Sequence, residues 1–362
     1  VETRPIDPVM FQVKRDGVYL SSPRVKGRIR LHRSIARLLI DSPTGINLDE
    51  VEGDSEAVSR ALKQLLELGF LEEAGDGESA WPTPWREWGG LAWQFHQSIR
   101  DAPFASKGTD ERERYGDALA ERDMPRGAKP IDPEVEILLL PRVHAEMTAS
   151  FKDVLEDRRT HRDFIESPIP LESLSTLLHY TFAPLRFSDA GEMGVVQLRA
   201  SAAGGARHET EAYVVALDVH GVSPGIYRYD NIRHGLVSVQ PEVSREQLEH
   251  LTHAQGFFTS AAFGVITTAV PERMAWKYPH PRAYKMLLQN VGHVAQVFSM
   301  TATALGLGAA LTGAFRDSEV EHLLSIDGVE EFPTFFFSCG VPQRNPDGSP
   351  IRYRSPETPF LN

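Results

Sequence analysis

Residues 284–308 read YKMLLQNVGHVAQVFSMTATALGLG, and this stretch decides what kind of fold the chain can adopt. Leu287, Val291, Val294, Phe298, Ala302 and Leu305 recur at three- and four-residue spacing and so share one face of a long helix. A neighbouring stripe of small residues, Gly292, Ala295, Ser299 and Thr303, predicts close packing there. The exit, Leu305 to Phe315, reads as a glycine-rich turn whose backbone can approach a flat ligand without a Cβ in the way. Taken alone, these features equally describe a buried helix with a glycine C-cap.

The chain around this helix has 362 residues, 41% of them hydrophobic, enough for two domains or one large domain with an appendage. Its formal net charge of -12 argues against coating nucleic acid or an anionic membrane. The single Cys339 excludes an internal disulfide framework and a multi-cysteine zinc site, and it fits a reducing compartment. No apolar run is long enough to span a bilayer and no charged-then-apolar leader opens the chain, so the expectation is a cytoplasmic protein without a metal.

Residues 1–80 read as a small module. Phe11–Lys14 and Gly17–Leu20 alternate like a hairpin, and helical patterns follow over Ile29–Ile40 and Ser55–Leu68, the second with an N-cap serine and Gly69 at its C-cap. This order predicts a winged helix-turn-helix. Arg60 and Lys63 on its second helix are offset by Glu56 and Glu67, with Glu72 and Glu73 beyond, so the surface suits protein or peptide better than phosphate. Residues 81–135 form a connector with four tryptophans and a charged run. From residue 136 to 362 the pattern is mixed α+β, with helices near Glu172–Tyr180 and Gln247–Gln255 and strands at Tyr213–Leu217, Gly225–Tyr229, Phe263–Thr268 and Thr334–Gly340.

Three clusters could carry chemistry. The run Arg158-Arg159-Thr160-His161-Arg162 offers guanidinium groups that grip phosphate by paired charge-assisted bonds, although a solvated basic turn would read the same. Residues 199–213, RASAAGGARHETEAY, form a small-residue loop entering a strand, against which a planar ring could lie. The third is Lys277-Tyr278, with Tyr284 and His293 beyond.

In this order, RRTHRDF, RASAAGGARHETEAYVV, GIYRYD, WKYPHPRAY, GHVAQ and LGLGAALTGAF resemble the SagB-type dehydrogenases of the nitroreductase-like flavoprotein superfamily, from about Arg158 to Pro342. The resemblance implies a nitroreductase-like FMN-binding fold with a winged-helix, peptide-clamp-like N-terminal domain. It further implies FMN at a homodimer interface, a precursor leader peptide and a cyclodehydratase as partners, and oxidation of peptide thiazolines or oxazolines to azoles. Carried over by motif, Arg158, Thr160 and Arg162, and less directly Arg159, would hold the flavin phosphate, ribityl chain and pyrimidine edge. Ala203, Gly204 and Gly205 would line the flavin, Thr312-Gly313-Ala314 would turn a backbone N–H towards N5, and Arg352 and Arg354 would form a phosphate-binding tail.

Lys277 and Tyr278 match the family's catalytic pair. Removing a proton from one ring carbon and a hydride from another needs a base beside the ring, a role for a desolvated lysine with the tyrosine relaying or orienting. This chain departs from the family pattern at Ala202-Ala203, usually Pro-Ser; at Glu209, usually proline; at Asn290, often aspartate; and at Val297, often asparagine. A small-molecule NAD(P)H-dependent nitro- or quinone reductase and a flavin-free peptide-binding scaffold are the rival readings.

Overall fold

In the computed structural model, which describes residues 2–74, 82–102, 110, 116, 117, 119, 121–191 and 194–345, the chain divides into two compact units, Val1–Pro103 and Phe104–Asn362. Among the described residues, no helix is long and apolar enough to cross a membrane.

The first unit runs β1 (Glu2–Pro5), β2 (Met10–Lys14), β3 (Gly17–Ser22), β4 (Val25–Leu31), α1 (Arg33–Asp41), β5 (Ile46–Asn47), α2 (Leu48–Asp54), α3 (Glu56–Glu67), β6 (Leu71–Glu73) and α4 (Thr83–Ser98). Strands β2, β3 and β4 form one antiparallel sheet, and β5, β1 and β6 a second. The helix expected from Ile29 begins only at Arg33. Ile29 and Leu31 instead pair with Leu20 and Val18 in β4, which puts their side chains on the core face of the hairpin. Ser55 caps α3 through the Val58 N–H, and Gly69 leaves the helix at φ 80° with the Phe70 N–H closing on the Leu65 carbonyl.

The second unit continues β7 (Leu138–Leu139), α5 (Phe151–Asp157), β8 (Phe164–Ile165), α6 (Leu171–Phe182), β9 (Arg186–Asp189), β10 (Val195–Leu198), β11 (Thr210–Ala216), β12 (Gly225–Asp230) and β13 (Gly235–Gln240). It closes with α7 (Arg245–Leu251), β14 (Phe263–Ala269), α8 (Pro271–Lys277), α9 (Arg282–Ala304), β15 (Gly308–Thr312), α10 (Asp317–Leu324) and β16 (Phe332–Pro342). The main sheet is ordered β15-β16-β14-β11-β12-β13-β7, with β8 paired to β16, and its central strands β11 and β14 are buried throughout.

Alternation along β11 explains the layering. Ala212, Val214 and Ala216 pack with α6 and α9, whereas Tyr213 and Val215 pack with Leu248 and Leu251 of α7 and Val320 and Leu324 of α10. Helix α9 buries the predicted face, Leu287, Val291, Val294, Phe298 and Ala302, and a ring such as Phe298 contributes about 2–3 kcal/mol by leaving water. The small-residue stripe is only half used: Ala295 and Ser299 are buried, but Gly292 is exposed, with nothing within 4 Å of where its Cβ would be. The expected glycine-rich turn after the helix is a strand, because Gly308–Thr312 pair residue by residue with β16.

Candidate functional site

Two polar clusters in the second unit gather the residues singled out in the sequence. The first forms where α8 ends. Pro271 starts that helix at a position that needs no N–H, and the Val270 N–H donates to the Glu209 carbonyl at 2.9 Å. Buried Trp276 anchors the far end: its Nε1 donates to the Arg122 carbonyl at 3.2 Å, and Arg122 Nη1 returns a bond to the Trp276 carbonyl at 3.0 Å. Lys277 and Tyr278 follow, both half-buried, with the lysine Nζ 5.7 Å from the tyrosine ring centre.

They stand over the turn Gly204–His208. A Cβ on Gly205 would lie 2.7 Å from Tyr278 OH, 2.7 Å from Lys277 Cδ and 2.9 Å from Lys277 Nζ. Gly205, Ala206 and His208 all take left-handed backbone, at φ 62°, 54° and 45°. Four side chains hold that strained path. Gly204 N–H donates to Asn290 Oδ1 at 3.1 Å, Arg207 Nε donates to the Gly205 carbonyl at 3.0 Å, and Arg273 Nη1 donates to the His208 carbonyl at 3.0 Å. The ring of His208 meets the Gln197 carbonyl at 2.9 Å through Nε2. Arg207 also lies over the Trp276 ring, its Cζ 5.0 Å from the centre.

Electrostatics follow from this enclosure. Burial pushes the His208 imidazole down to about 3, with Arg199 adding to the effect, so the ring is neutral. Burial also raises the Tyr278 phenol, against the pull of Arg207, so the hydroxyl keeps its proton.

The arginine run is built along the outer edge of β15. Thr160 bridges Ala309 in parallel, and the His161 N–H donates to the Ala309 carbonyl at 2.9 Å. Gly308 makes room for this segment, since a Cβ there would meet His161 Cγ at 2.8 Å. Burial lowers the His161 pKa, and the charges of Arg344, Arg158 and Arg159 act in the same direction. Arg159 Nη1 bonds the Arg158 carbonyl at 2.8 Å, and Arg162 lies over Phe257. At the end of the same strand, Thr312 Oγ1 accepts from the Ala314 N–H at 3.0 Å and donates to Gln255 Oε1 at 3.0 Å, while Gly313 passes Phe335.

The structure thus brings Gly205 to Lys277 and Tyr278, turns Gly204 towards Met274, Met286 and Asn290, and sets the run from Arg158 to Arg162 beside β15, which leads to Thr312-Gly313-Ala314. Ala203 precedes the turn and accepts from the Ala206 N–H at 3.1 Å. Arg352 and Arg354 lie outside the described residues. Sequence reasoning assigned no role to Arg207, although it stands two residues beyond Gly205 in the same small-residue loop. Arg344 had no local signal, because only the fold carries it to His161.

A rim of guanidinium groups suits an anionic group, and a turn without side chains beside titratable groups suits a flat one. The Nitroreductase family model matches residues 155–341, which contain the Gly204–His208 turn, Lys277, Tyr278 and the Arg158–Arg162 run, and the chain belongs to that family. Its members are oxidoreductases that generally bind FMN.

The chain is 34% identical over 189 residues to Putative nitroreductase MJ1384 of Methanocaldococcus jannaschii, covering 52% of this chain and 89% of that one. It is also 23% identical over 309 residues to Trifolitoxin operon protein TfxC of Rhizobium leguminosarum, 81% and 84% covered. Trifolitoxin-processing protein TfxB of the same organism matches at 29% over 172 residues, 45% of this chain and 46% of that one. A solved Anabaena variabilis structure, described as a putative nitroreductase, superposes with a TM-score of 0.53 at 20% identity, over 70% of this chain and 48% of that one.

Proposed function

We propose that this chain is an FMN-dependent dehydrogenase of the SagB type that oxidises thiazolines or oxazolines in a peptide precursor. The observation that carries this reading is the approach of Lys277 and Tyr278 to the bare turn at Gly205. The names of TfxB, a trifolitoxin-processing protein, and TfxC, a trifolitoxin operon protein, support a peptide substrate.

When bound, FMN supplies a hydride acceptor. The chain's own residues do the remaining work. Arg158, Arg159, Arg162 and Arg344 would hold the phosphate and Thr160 would add a hydroxyl, while Gly204 and Gly205 let the ring lie against backbone. The Thr312-Gly313-Ala314 turn would offer a backbone N–H to the ring, although that of Ala314 already donates to Thr312 Oγ1. Lys277 Nζ, in its neutral form, takes the proton released from the azoline ring carbon as the hydride leaves the other. Tyr278, held protonated, donates a hydrogen bond and orients the ring rather than acting as base.

In the first unit, α1, α2 and α3 accompany the β2-β3-β4 sheet, an arrangement that supports a winged-helix module that clamps a leader peptide. A homodimer working beside a cyclodehydratase in the cytoplasm completes the reading. The visible spectrum of the purified chain, with the released chromophore identified by chromatography, is the direct test. A two-banded FMN spectrum together with conversion of an azoline peptide supports it, and a chain that stays colourless with added FMN refutes it. The family match favours one second reading, an NAD(P)H-dependent nitro- or quinone reductase, which rapid NAD(P)H oxidation with quinones would reveal.

A further inference from the structure

Two of the chain's departures from its family pattern meet in space. Asn290, in the middle of α9, donates from Nδ2 to Glu209 Oε1 at 3.0 Å and accepts the Gly204 N–H on Oδ1. The amide orientation follows from chemistry: a backbone N–H can only donate, so Oδ1 must face Gly204 and Nδ2 must face a group that accepts. Glu209 supplies that acceptor from a fully buried position, and its second oxygen, Oε2, is buried without a hydrogen-bond partner. A carboxyl placed this way is costly unless it holds something in return.

What it holds is the strained turn. Gly204 opens the run in which Gly205, Ala206 and His208 are left-handed, and it is the residue immediately before the one that Lys277 and Tyr278 touch. We propose that Glu209 and Asn290 form a positioning relay, in which the Glu209 carboxyl fixes the Asn290 amide and the amide fixes the Gly204 N–H, holding the turn against Lys277 and Tyr278. Neither is a catalytic residue; both act through the turn. The proposal rests on the assignment of Lys277 and Tyr278 to the reacting site.

The charged groups acting on Glu209 are Arg199, from the segment after β10, and Arg273, from α8; both favour its ionised form against the burial that opposes it. An aspartate at 290 could not donate to Glu209. Asn290→Asp would therefore place two carboxyl groups in contact, able to share one proton but not to ionise together. Glu209→Gln is isosteric and still offers a carbonyl to Asn290. Combined, the two substitutions exchange amide and carboxylate: the new amide donates, and the new carboxylate accepts both from it and from Gly204.

The test is hydrogen–deuterium exchange of the full chain, read in peptides covering residues 203–208, for the wild type, both single variants and the double variant between pH 5 and 8. It needs no flavin, so its failure is distinct from failure of the cofactor reading. FMN affinity by fluorescence titration is the second readout. The relay predicts that Asn290→Asp exchanges about tenfold faster in the turn than the wild type, and that FMN binding weakens in parallel. Glu209→Gln should stay near wild type, and the double variant should recover protection. Unchanged exchange in Asn290→Asp would overturn the relay, as would a double variant no better than Asn290→Asp alone.

Discussion

Gly205 and Lys277 approach so closely that a Cβ on the glycine would lie 2.7 Å from the lysine Cδ and 2.9 Å from its Nζ. The backbone there is left-handed as well, at φ 62°. Gly205→Ala must therefore displace the lysine and incur about 1–2 kcal/mol of backbone strain at once. The expected result is a folded protein, slightly less stable in thermal unfolding, that loses azoline turnover. Full activity with unchanged stability would show that the turn does not constrain the pair.

Lys277→Ala removes the assigned base and Tyr278→Phe the orienting hydroxyl. Turnover should fall by about 10²–10⁴-fold for the lysine variant, with FMN content preserved. Tyr278→Phe should fall less and keep the same alkaline limb in its pH profile, since burial keeps the phenol protonated. Azoline-peptide kinetics at matched flavin loading distinguish the roles.

In the proposed reading Arg158 and Arg344 both hold the flavin phosphate. Losing one charge-assisted contact costs about 1.5–3 kcal/mol, and Arg158→Ala or Arg344→Ala should each weaken FMN binding by about 10–100-fold. Riboflavin, which lacks the phosphate, should bind both variants and the wild type alike. A matching loss for riboflavin would move these arginines away from the phosphate.

His208 is buried and neutral, with its imidazole pushed down to about 3. In the unfolded chain it titrates near 6.5, so above that pH it makes no demand on stability. As the pH falls from about 6.5 towards about 3, the unfolded state binds a proton that the folded state refuses, and stability drops by about 2 kcal/mol at pH 5. His208→Asn, which tolerates the left-handed backbone, should flatten the decline in melting temperature between pH 7 and 5. An identical acid limb in the variant would assign the decline to other groups.

Local pattern made most of the second unit legible. The long helix, the strands at Tyr213, Gly225, Phe263 and Thr334, and the cap at Ser55 all appear in the structure, because each is set by side-chain periodicity or by one capping residue. Where two patterns competed, partners decided. Leu31 shares helical spacing with Ile35 and Leu38, but cross-strand pairing with Val18 claims it, as pairing with Leu20 claims Ile29. Gly308–Thr312 look like a loop in glycine content, yet β16 offers a complete set of backbone partners.

The candidate site divides the same way. Sequence by itself determined the chemistry present: an arginine run, two adjacent glycines and a lysine-tyrosine pair, each recognisable from residue type and order. Only the tertiary structure decided which of them meet. Gly205 is 72 positions before Lys277, Arg344 lies far beyond His161, and Glu209 finds Asn290 across 81 positions. Such distances carry no local periodicity; they are set when α8 and α9 pack beside β11. The same packing turns two isolated departures, Glu209 and Asn290, into acceptor and donor of one buried hydrogen bond.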